Sequence, residues 1–242
     1  MKIVSGNGQL NIGSLKKGLV LDLDISSEGL QGTTKFKDKT PYENNGTLSN
    51  ITLTTDRKGK ANSAGLFNGT DSYINCGNNS SLDITGAITM SAWIKASDTT
   101  SFQTLFGKGI SFGGNKGYSL GIYNTKIYFD THDSVQRDAL QSLSGTVKQN
   151  EWFFLTATWD GTTTTNGKKI YINGVLNSQG TSTISEIVGT SNYSFSITKD
   201  PYFFMGSIER PQIWNRALSA DEVKLLFSSY NPCLMIVKGG IG

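Results

Sequence analysis

The sequence predicts an all-β protein, a two-sheet antiparallel jelly-roll sandwich with one short C-terminal helix, on three observations. The 242 residues include 28 Gly and only 4 Pro, with many Thr, Ser, Asn, Ile, Tyr and Phe, which are residues of strands and tight turns. Short apolar-alternating runs recur from Leu19 onward, separated by turn signals. Only one segment has a clear helical pattern. A sandwich of this length is compatible with a single domain.

Ile88 to Lys95 is the clearest strand, because its even-numbered residues are all apolar and point one way, while Trp93 points the other. Trp152 to Trp159 has bulky residues on both faces, which is typical of a central strand. Asn173-Gly174 accepts positive φ at both positions and predicts a type I′ hairpin. Further strands are predicted at 19–23, 65–67, 73–76, 104–108, 118–123 and 127–130, and on either side of the hairpin turn at 170–172 and 175–176.

The helix is predicted from its first turn. Ser219 and Glu222 form a capping box, and Leu218 and Val223 occupy the hydrophobic staple positions. The helix should end near Ser229, ahead of a proline. Its apolar stripe consists of Val223, Leu226 and Phe227.

The residues offer no catalytic set, so we expect a protein that is not an enzyme. His132 is the single histidine, and its place at the end of a strand run predicts a solvated loop residue. One histidine and two distant cysteines leave no zinc-ligand spacing. No glutamate has another acid two positions away, and Asp22 and Asp24, on the first predicted strand, are the one such aspartate pair.

Charge and cysteine content narrow the class further. A formal net charge of +3 gives no basic footprint for nucleic acid, and no stretch reaches transmembrane length. Cys76 and Cys233 could pair, although two unrelated thiols are favoured. No hydrophobic run of signal-peptide length occurs at Met1, which leaves a protein of cytosolic origin, one exported without a cleavable signal, one assembled into a particle, or a piece of a larger chain. The location we expect is a virion or an extracellular surface, without a cleavable signal.

Five segments in the same order resemble the laminin-G-like, concanavalin A-like lectin/glucanase jelly-roll family. Gly65 to Ile74 resembles its "F-D-G-x-x-D-Y-V" signature, although Asn68 replaces the aspartate. The other four are the loop 38–48, the strand 88–94, the hairpin segments 157–161 and 170–174, and the closing segment 206–219, where Glu209-Arg210-Pro211 replaces "D-E-V". Together they cover about residues 18 to 230. Members of this family are mostly non-catalytic modules that bind glycans, proteins or surfaces.

The resemblance also implies a calcium ion, which some members hold. Carboxylates are suitable ligands for this hard cation, and two of those here match positions near the chain ends where related jelly rolls often place an ion. The candidate metal ligands are Asp24, Asp38, Asp71 and Glu209. The alternative is that Asp38 and Asp71 only stabilise turns through bonds to the backbone.

Aromatic residues supply the candidate sugar-binding positions. The four tryptophans lie within strand patterns and are expected to pack in the core or on sheet faces. Tyrosines nearer turns or strand ends could stack on a sugar. These are Tyr118, Tyr123, Tyr128, Tyr193 and Tyr202.

We therefore expect an N-terminal extension (1–17), a jelly-roll domain (18–230) and a C-terminal tail (231–242). The leading hypothesis is a non-catalytic module that binds glycans or surfaces. Its partner would be a glycan or the surface of another protein. The alternative is a structural component of a particle, such as a phage decoration, fibre or tail protein, assembling as a homo-oligomer or with capsid or tail proteins through residues 231–242. That apolar tail could equally pair with its own sheet.

Overall fold

A computed structural model describes residues 2–5, 8–110, 116–188, 190, 193–198 and 201–230; for residues 2–11 and Ile110 only the backbone is described. Within these ranges the chain forms nineteen strands, two short 3-10 helices (Ile12–Lys16 and Ser80–Leu82) and one α-helix, α1 (Ala220–Ser229). The strands are β1 (Lys2–Ser5), β2 (Gly8–Asn11), β3 (Leu19–Asp22), β4 (Leu30–Gln31), β5 (Lys35–Phe36), β6 (Gly46–Ser49), β7 (Thr52–Thr54), β8 (Ala64–Asn68), β9 (Tyr73–Asn75), β10 (Ile88–Ala96), β11 (Gln103–Ile110), β12 (Lys116–Tyr123), β13 (Lys126–Asp133), β14 (Arg137–Gln141), β15 (Trp152–Trp159), β16 (Lys168–Ile172), β17 (Val175–Gly180), β18 (Phe195–Ile197) and β19 (Met205–Trp214).

The strands form two antiparallel sheets, so the predicted sandwich is confirmed. The eight-stranded sheet has the order β17-β16-β15-β10-β19-β8-β7, and β3 also pairs with β19. The nine-stranded sheet has the order β14-β13-β12-β11-β18-β9-β6-β5-β4. β1 and β2 form a separate hairpin.

The main core lies between the sheets and follows from side-chain alternation. On β10, the apolar even-numbered residues are buried in it, as predicted. On β12 and β13, the paired residues Leu120 and Phe129 face the same core. The free thiol of Cys76 is also buried here, and burial raises its pKa. Cys233, the residue with which Cys76 could pair, lies outside the described residues.

A second apolar cluster covers the opposite face of the eight-stranded sheet, where α1 packs. The predicted capping box is confirmed, because Ser219 accepts a bond from the Glu222 amide and Glu222 accepts one from the Ser219 amide. Leu218 and Val223 are buried as staple residues. Leu15, from the segment expected as an extension, lies in this cluster too. The members are Leu15, Trp93, Phe154, Tyr171, Trp214, Leu218, Val223, Leu225 and Leu226.

Loop 38–48, one of the family-like segments, is organised by the buried carboxylate of Asp38. Its Oδ1 accepts bonds from the amides of Asp22 (2.9 Å) and Thr40 (3.1 Å). Its Oδ2 accepts bonds from the Thr40 hydroxyl (2.7 Å) and the Asn44 amide (2.9 Å). These bonds fasten the loop to the edge of β3. Asp38 therefore has the turn-stabilising role that was the alternative to metal binding.

Lys168 connects the two sheets at the β14/β17 edge of the sandwich. It belongs to β16 of the eight-stranded sheet, and its buried Nζ donates to Asp138 Oδ2 (2.8 Å), the Asp138 carbonyl (2.7 Å) and Thr131 Oγ1 (2.9 Å) of the nine-stranded sheet. The same Nζ lies 4.9 Å from the centroid of the Phe129 ring. All three ammonium protons are thus used, which compensates for the burial of the charge.

The sequence missed nine strands, namely β1, β2, β4 to β7, β14, β18 and β19. It predicted the other strands to within a few residues, and Asn173 and Gly174 have the expected positive φ values of 52° and 78°. In the described part of the chain, no helix has the length and apolar character needed to cross a membrane.

Candidate functional site

Three of the five predicted tyrosines meet around Phe102 on the nine-stranded sheet. The Phe102 ring contacts Tyr202 at a centroid distance of 4.9 Å, Tyr123 at 6.1 Å and Tyr128 at 6.3 Å, and Tyr123 and Tyr128 lie 6.2 Å apart. We call these four residues the aromatic patch. Tyr123 is 45% exposed and the other three rings are half-buried. A partly exposed group of rings offers flat apolar faces edged with hydroxyls.

Strand ends and a turn bring the patch together. Phe102 precedes β11, Tyr123 ends β12, Tyr128 lies early in β13, and Tyr202 comes from the segment before β19. Gly121 pairs directly with Tyr128 across the two strands, and a Cβ at Gly121 would lie 2.9 Å from the Gln103 carbonyl oxygen and 3.4 Å from the Phe102 ring. Glycine at this position therefore allows the backbone of β11 to approach closely beside Phe102. Phe102 carried no signal in the sequence, and its role depends on β11 lying next to β12.

The prediction for Tyr118 is wrong. Tyr118 lies within β12 rather than at a turn, its ring is buried in the main core, and its hydroxyl donates to the Leu82 carbonyl at 2.9 Å. Its position pairs with Thr131 on the inward face of β13, so no sugar can reach it. Tyr193 is half-buried before β18, and the ring contacts among the described residues leave it outside the patch.

A row of polar residues continues from the patch along β13. Phe129 faces the core, so Tyr128, Asp130 and His132 share the opposite face of the sheet. Their cross-strand partners on β12 are Gly121, Ser119 and Gly117, which have no side chain larger than a hydroxymethyl group. At about 3.3 Å per residue, the row from Tyr128 to His132 is roughly 13 Å long.

Arg137 on β14 is bound to this row. Its Nε and Nη2 each lie 2.9 Å from Oδ1 of Asp130, and its guanidinium lies 5.8 Å from the centroid of Tyr128. Burial raises the pKa of Asp130 above its usual value, and the charge of Arg137 opposes that shift. Oδ2 of Asp130 is buried and has no hydrogen-bond partner. Ala139, directly opposite Asp130 on the edge strand β14, is exposed. Solvent therefore reaches the strand next to the row.

The prediction of a solvated loop histidine is also wrong. His132 lies within β13, its side chain has no exposed surface, and neither ring nitrogen has a hydrogen-bond partner. Burial lowers its pKa to about 4, with a smaller contribution from the charges of Arg137 and Lys168, so the ring is neutral at pH 7. No serine or cysteine donates to it, so the described residues contain no Ser–His or Cys–His pair.

The four candidate metal ligands are not brought together. Asp24 forms an ion pair with Lys39 (2.7 Å), and Glu209 forms one with Arg57 (3.0 Å). Asp71 accepts hydrogen bonds from the side-chain amides of Asn50 and Asn68. Asp38 is occupied by loop 38–48, as described above. Asp24 and Glu209 do line one pocket of about 170 Å³, but Lys39, Lys60 and Arg210 line it as well.

Calcium does not fit this donor set. Within the ranges that the structure describes, no group of three His, Cys, Asp or Glu residues could hold a metal ion. Asp22 lies two residues before Asp24. Nε and Nη2 of Arg210 donate to its two carboxylate oxygens, each at 2.8 Å. Arginine and lysine side chains thus supply the positive charge that an ion would bring to these acids.

Solved structures similar to this chain include receptor-binding domains of botulinum neurotoxins. The serotype D binding domain has a TM-score of 0.67 and 20% identity, over 90% of this chain and 52% of that chain. The serotype D ligand-binding domain in complex with N-acetylneuraminic acid has a TM-score of 0.65 and 21% identity, over 90% and 52%. The DC binding domain in complex with rat synaptotagmin II has a TM-score of 0.62 and 18% identity, over 88% and 52%.

These likenesses concern the fold, and the chain spans about half the length of each of those domains. No curated protein matches the sequence. A family model described as the concanavalin A-like lectin/glucanases superfamily matches residues 68–224, which include most strands of both sheets and the first half of α1. The chain belongs to the concanavalin A-like lectin/glucanases superfamily.

Proposed function

We propose that this protein is a non-catalytic module that binds glycans through the aromatic patch. The observation that carries the proposal is the convergence of Phe102, Tyr123, Tyr128 and Tyr202 at one end of the nine-stranded sheet. Sugar rings present C–H faces that stack on aromatic rings, and tyrosine adds a hydroxyl at the edge. Pre-formed contacts among the four rings keep the entropy cost of binding low.

Two further points support a binding role. The single histidine has no nucleophile or carboxylate bound to its ring, so it lacks the partners of a hydrolytic site. One similar structure was solved with N-acetylneuraminic acid and another with synaptotagmin, which is consistent with glycan or protein surfaces as partners. A module of this kind would act where glycans are displayed, at an extracellular or particle surface.

A glycan array tests the proposal with three proteins: the wild type, Tyr123→Ala and Tyr73→Ala. Tyr73 is the matched control, because it is 38% exposed on β9 of the same sheet, away from the patch. We expect binding by the wild type and by Tyr73→Ala. Loss of the exposed Tyr123 ring should weaken binding about tenfold, since covering such a ring contributes about 1–2 kcal/mol.

Two additional arms test the remaining expectations. The array is run with calcium and with a chelator, and equal binding is expected because the acids already have cationic neighbours. Release of reducing ends from a bound glycan would contradict the non-catalytic proposal. Equal binding by wild type and Tyr123→Ala would place the site elsewhere.

A further inference from the structure

A cavity of about 300 Å³ lies on the helix-bearing face of the eight-stranded sheet, between the end of α1 and the segment that precedes β3. This volume is at the lower end of the range of small-molecule sites, about 300–1,000 Å³. Its walls are mainly apolar and include Leu15, Leu19, Trp214 and Leu226. Ile12 also lines the cavity and is 45% exposed, so the cavity opens to solvent.

Gln212 brings an unused hydrogen-bond donor to this cavity. It is 4% exposed, lines the cavity, and lies opposite Asp22 where β19 pairs with β3. Its Oε1 accepts a bond from the Tyr230 hydroxyl at 2.6 Å, whereas its Nε2 donates to no group among the described residues. Because a buried amide without a partner is costly, an acceptor atom of a ligand in the cavity would be bound favourably there.

Charge at the cavity favours an anionic head group on that ligand. Arg210 donates to both carboxylate oxygens of Asp22, so these two charges offset each other. Lys16 lines the cavity and is exposed, and within the described ranges no carboxylate forms an ion pair with it. A second cavity, of about 390 Å³, shares Lys16, Leu19 and Asp22 with the first and is also lined by Lys39. Lys16 thus supplies an unpaired positive charge where the two cavities meet.

We propose that this cavity binds a small amphiphile, a medium-chain carboxylate. The alkyl chain lies against Trp214 and Leu226, and the carboxylate accepts a hydrogen bond from Gln212 Nε2 near the charge of Lys16. Each methylene group buried by binding strengthens the affinity about fourfold. The cavity and the aromatic patch belong to different sheets, so this ligand does not compete with a glycan on the patch.

Calorimetric titration of the full chain tests the proposal, with octanoate, hexanoate, 1-octanol and octylammonium as probes. We expect octanoate to bind one site per chain, and hexanoate, which is two methylene groups shorter, to bind about tenfold more weakly. The neutral and cationic probes should bind more weakly than octanoate, because they do not pair with Lys16. No binding of octanoate up to about 1 mM, or equal or tighter binding of octylammonium, would overturn the inference.

Two pairs of matched variants locate the site. Ser229 and Ser228 are both half-buried at the end of α1, and of the two only Ser229 lines the cavity. Ser229→Phe should fill the cavity and weaken octanoate binding about tenfold or more, whereas Ser228→Phe should bind like the wild type. Lys16→Gln should weaken binding about two- to fivefold, and the exposed neighbour Lys17→Gln should not. Equal affinities within both pairs would place octanoate elsewhere and overturn the inference.

The competing occupant is the chain's own continuation. Tyr230 lines the cavity, and the residues that follow it in sequence include the apolar run 234–237. If octanoate binds the double variant Leu234→Asp, Ile236→Asp but not the wild type, that segment occupies the cavity and the inference is overturned. Tyr123→Ala should bind octanoate like the wild type, because its ring belongs to the aromatic patch. A loss of octanoate binding in Tyr123→Ala would contradict a separate site.

Discussion

Lys168→Met tests whether one buried ion pair joins the two sheets. Methionine has a similar length, so the substitution removes the charge and three hydrogen bonds without a large change in volume. It leaves Asp138 with Ser182 as its hydroxyl donor at 2.7 Å and no cation in contact. Removing one partner of a buried pair costs about 3–5 kcal/mol, and because Asp138 keeps its bond from the Ser182 hydroxyl we expect a loss of about 3 kcal/mol.

The assay is urea unfolding at pH 7, followed by tryptophan fluorescence. Burial raises the pKa of Asp138, but the charge and hydrogen bonds of Lys168 outweigh that effect and hold the pKa below its usual value. Asp138 therefore contributes stability above the pKa of the unfolded chain, near 4, and loses it as the pH falls through the folded-state pKa. The difference between wild type and Lys168→Met should narrow below about pH 4.

Lys169→Met is the matched control, because Lys169 is adjacent and only half-buried on the other face of β16. It should change stability by no more than about 0.5 kcal/mol. A loss below about 1 kcal/mol in Lys168→Met, with an unchanged denaturant slope, would refute the reasoning that this pair links the sheets.

Two further predictions concern buried polar groups. Asp38→Ala should lower the free energy of unfolding, measured in urea, by about 2–4 kcal/mol, because the backbone amides of Asp22, Thr40 and Asn44 lose their acceptor. A loss of no more than about 0.5 kcal/mol, as for an ordinary surface substitution, would contradict the role assigned to Asp38. Because the pKa of His132 falls to about 4 in the folded state, the unfolded chain binds the proton first on acidification. Wild-type stability should therefore fall by about 2 kcal/mol more than that of His132→Phe between pH 7 and pH 5, and parallel pH profiles of the two proteins would exclude a buried neutral histidine.

Elements with local causes could be predicted from the sequence. The capping box at Ser219 and the turn at Asn173-Gly174 depend on residues within a few positions of each other, and both are present. Alternation assigned the faces of β10 correctly, because a strand with one apolar face has only one orientation relative to a core. Short strands such as β4 and β5 were missed, because two residues carry no period.

The candidate site was only partly predictable. Tyr123, Tyr128 and Tyr202 were expected as separate candidates, but their contact through Phe102 depends on strand neighbours that are distant in sequence. Asp24 and Glu209 were expected near an ion and do share a pocket, but the sequence could not show that Lys39 and Arg57 already bind them. The two charge pairs join residues that are 15 and 152 positions apart, and pairing over such separations has no local signature.

The sequence by itself determined the fold class, the family resemblance, the helix and its cap, and the inward face of β10, since these follow from local periodicity and turn chemistry. Only the tertiary structure decided that Tyr118 is a core residue and that His132 is buried. Both lie on strands whose residues alternate between the two faces, and the sequence does not show which face is covered or by what. That depends on the register between β12 and β13 and on the packing around them.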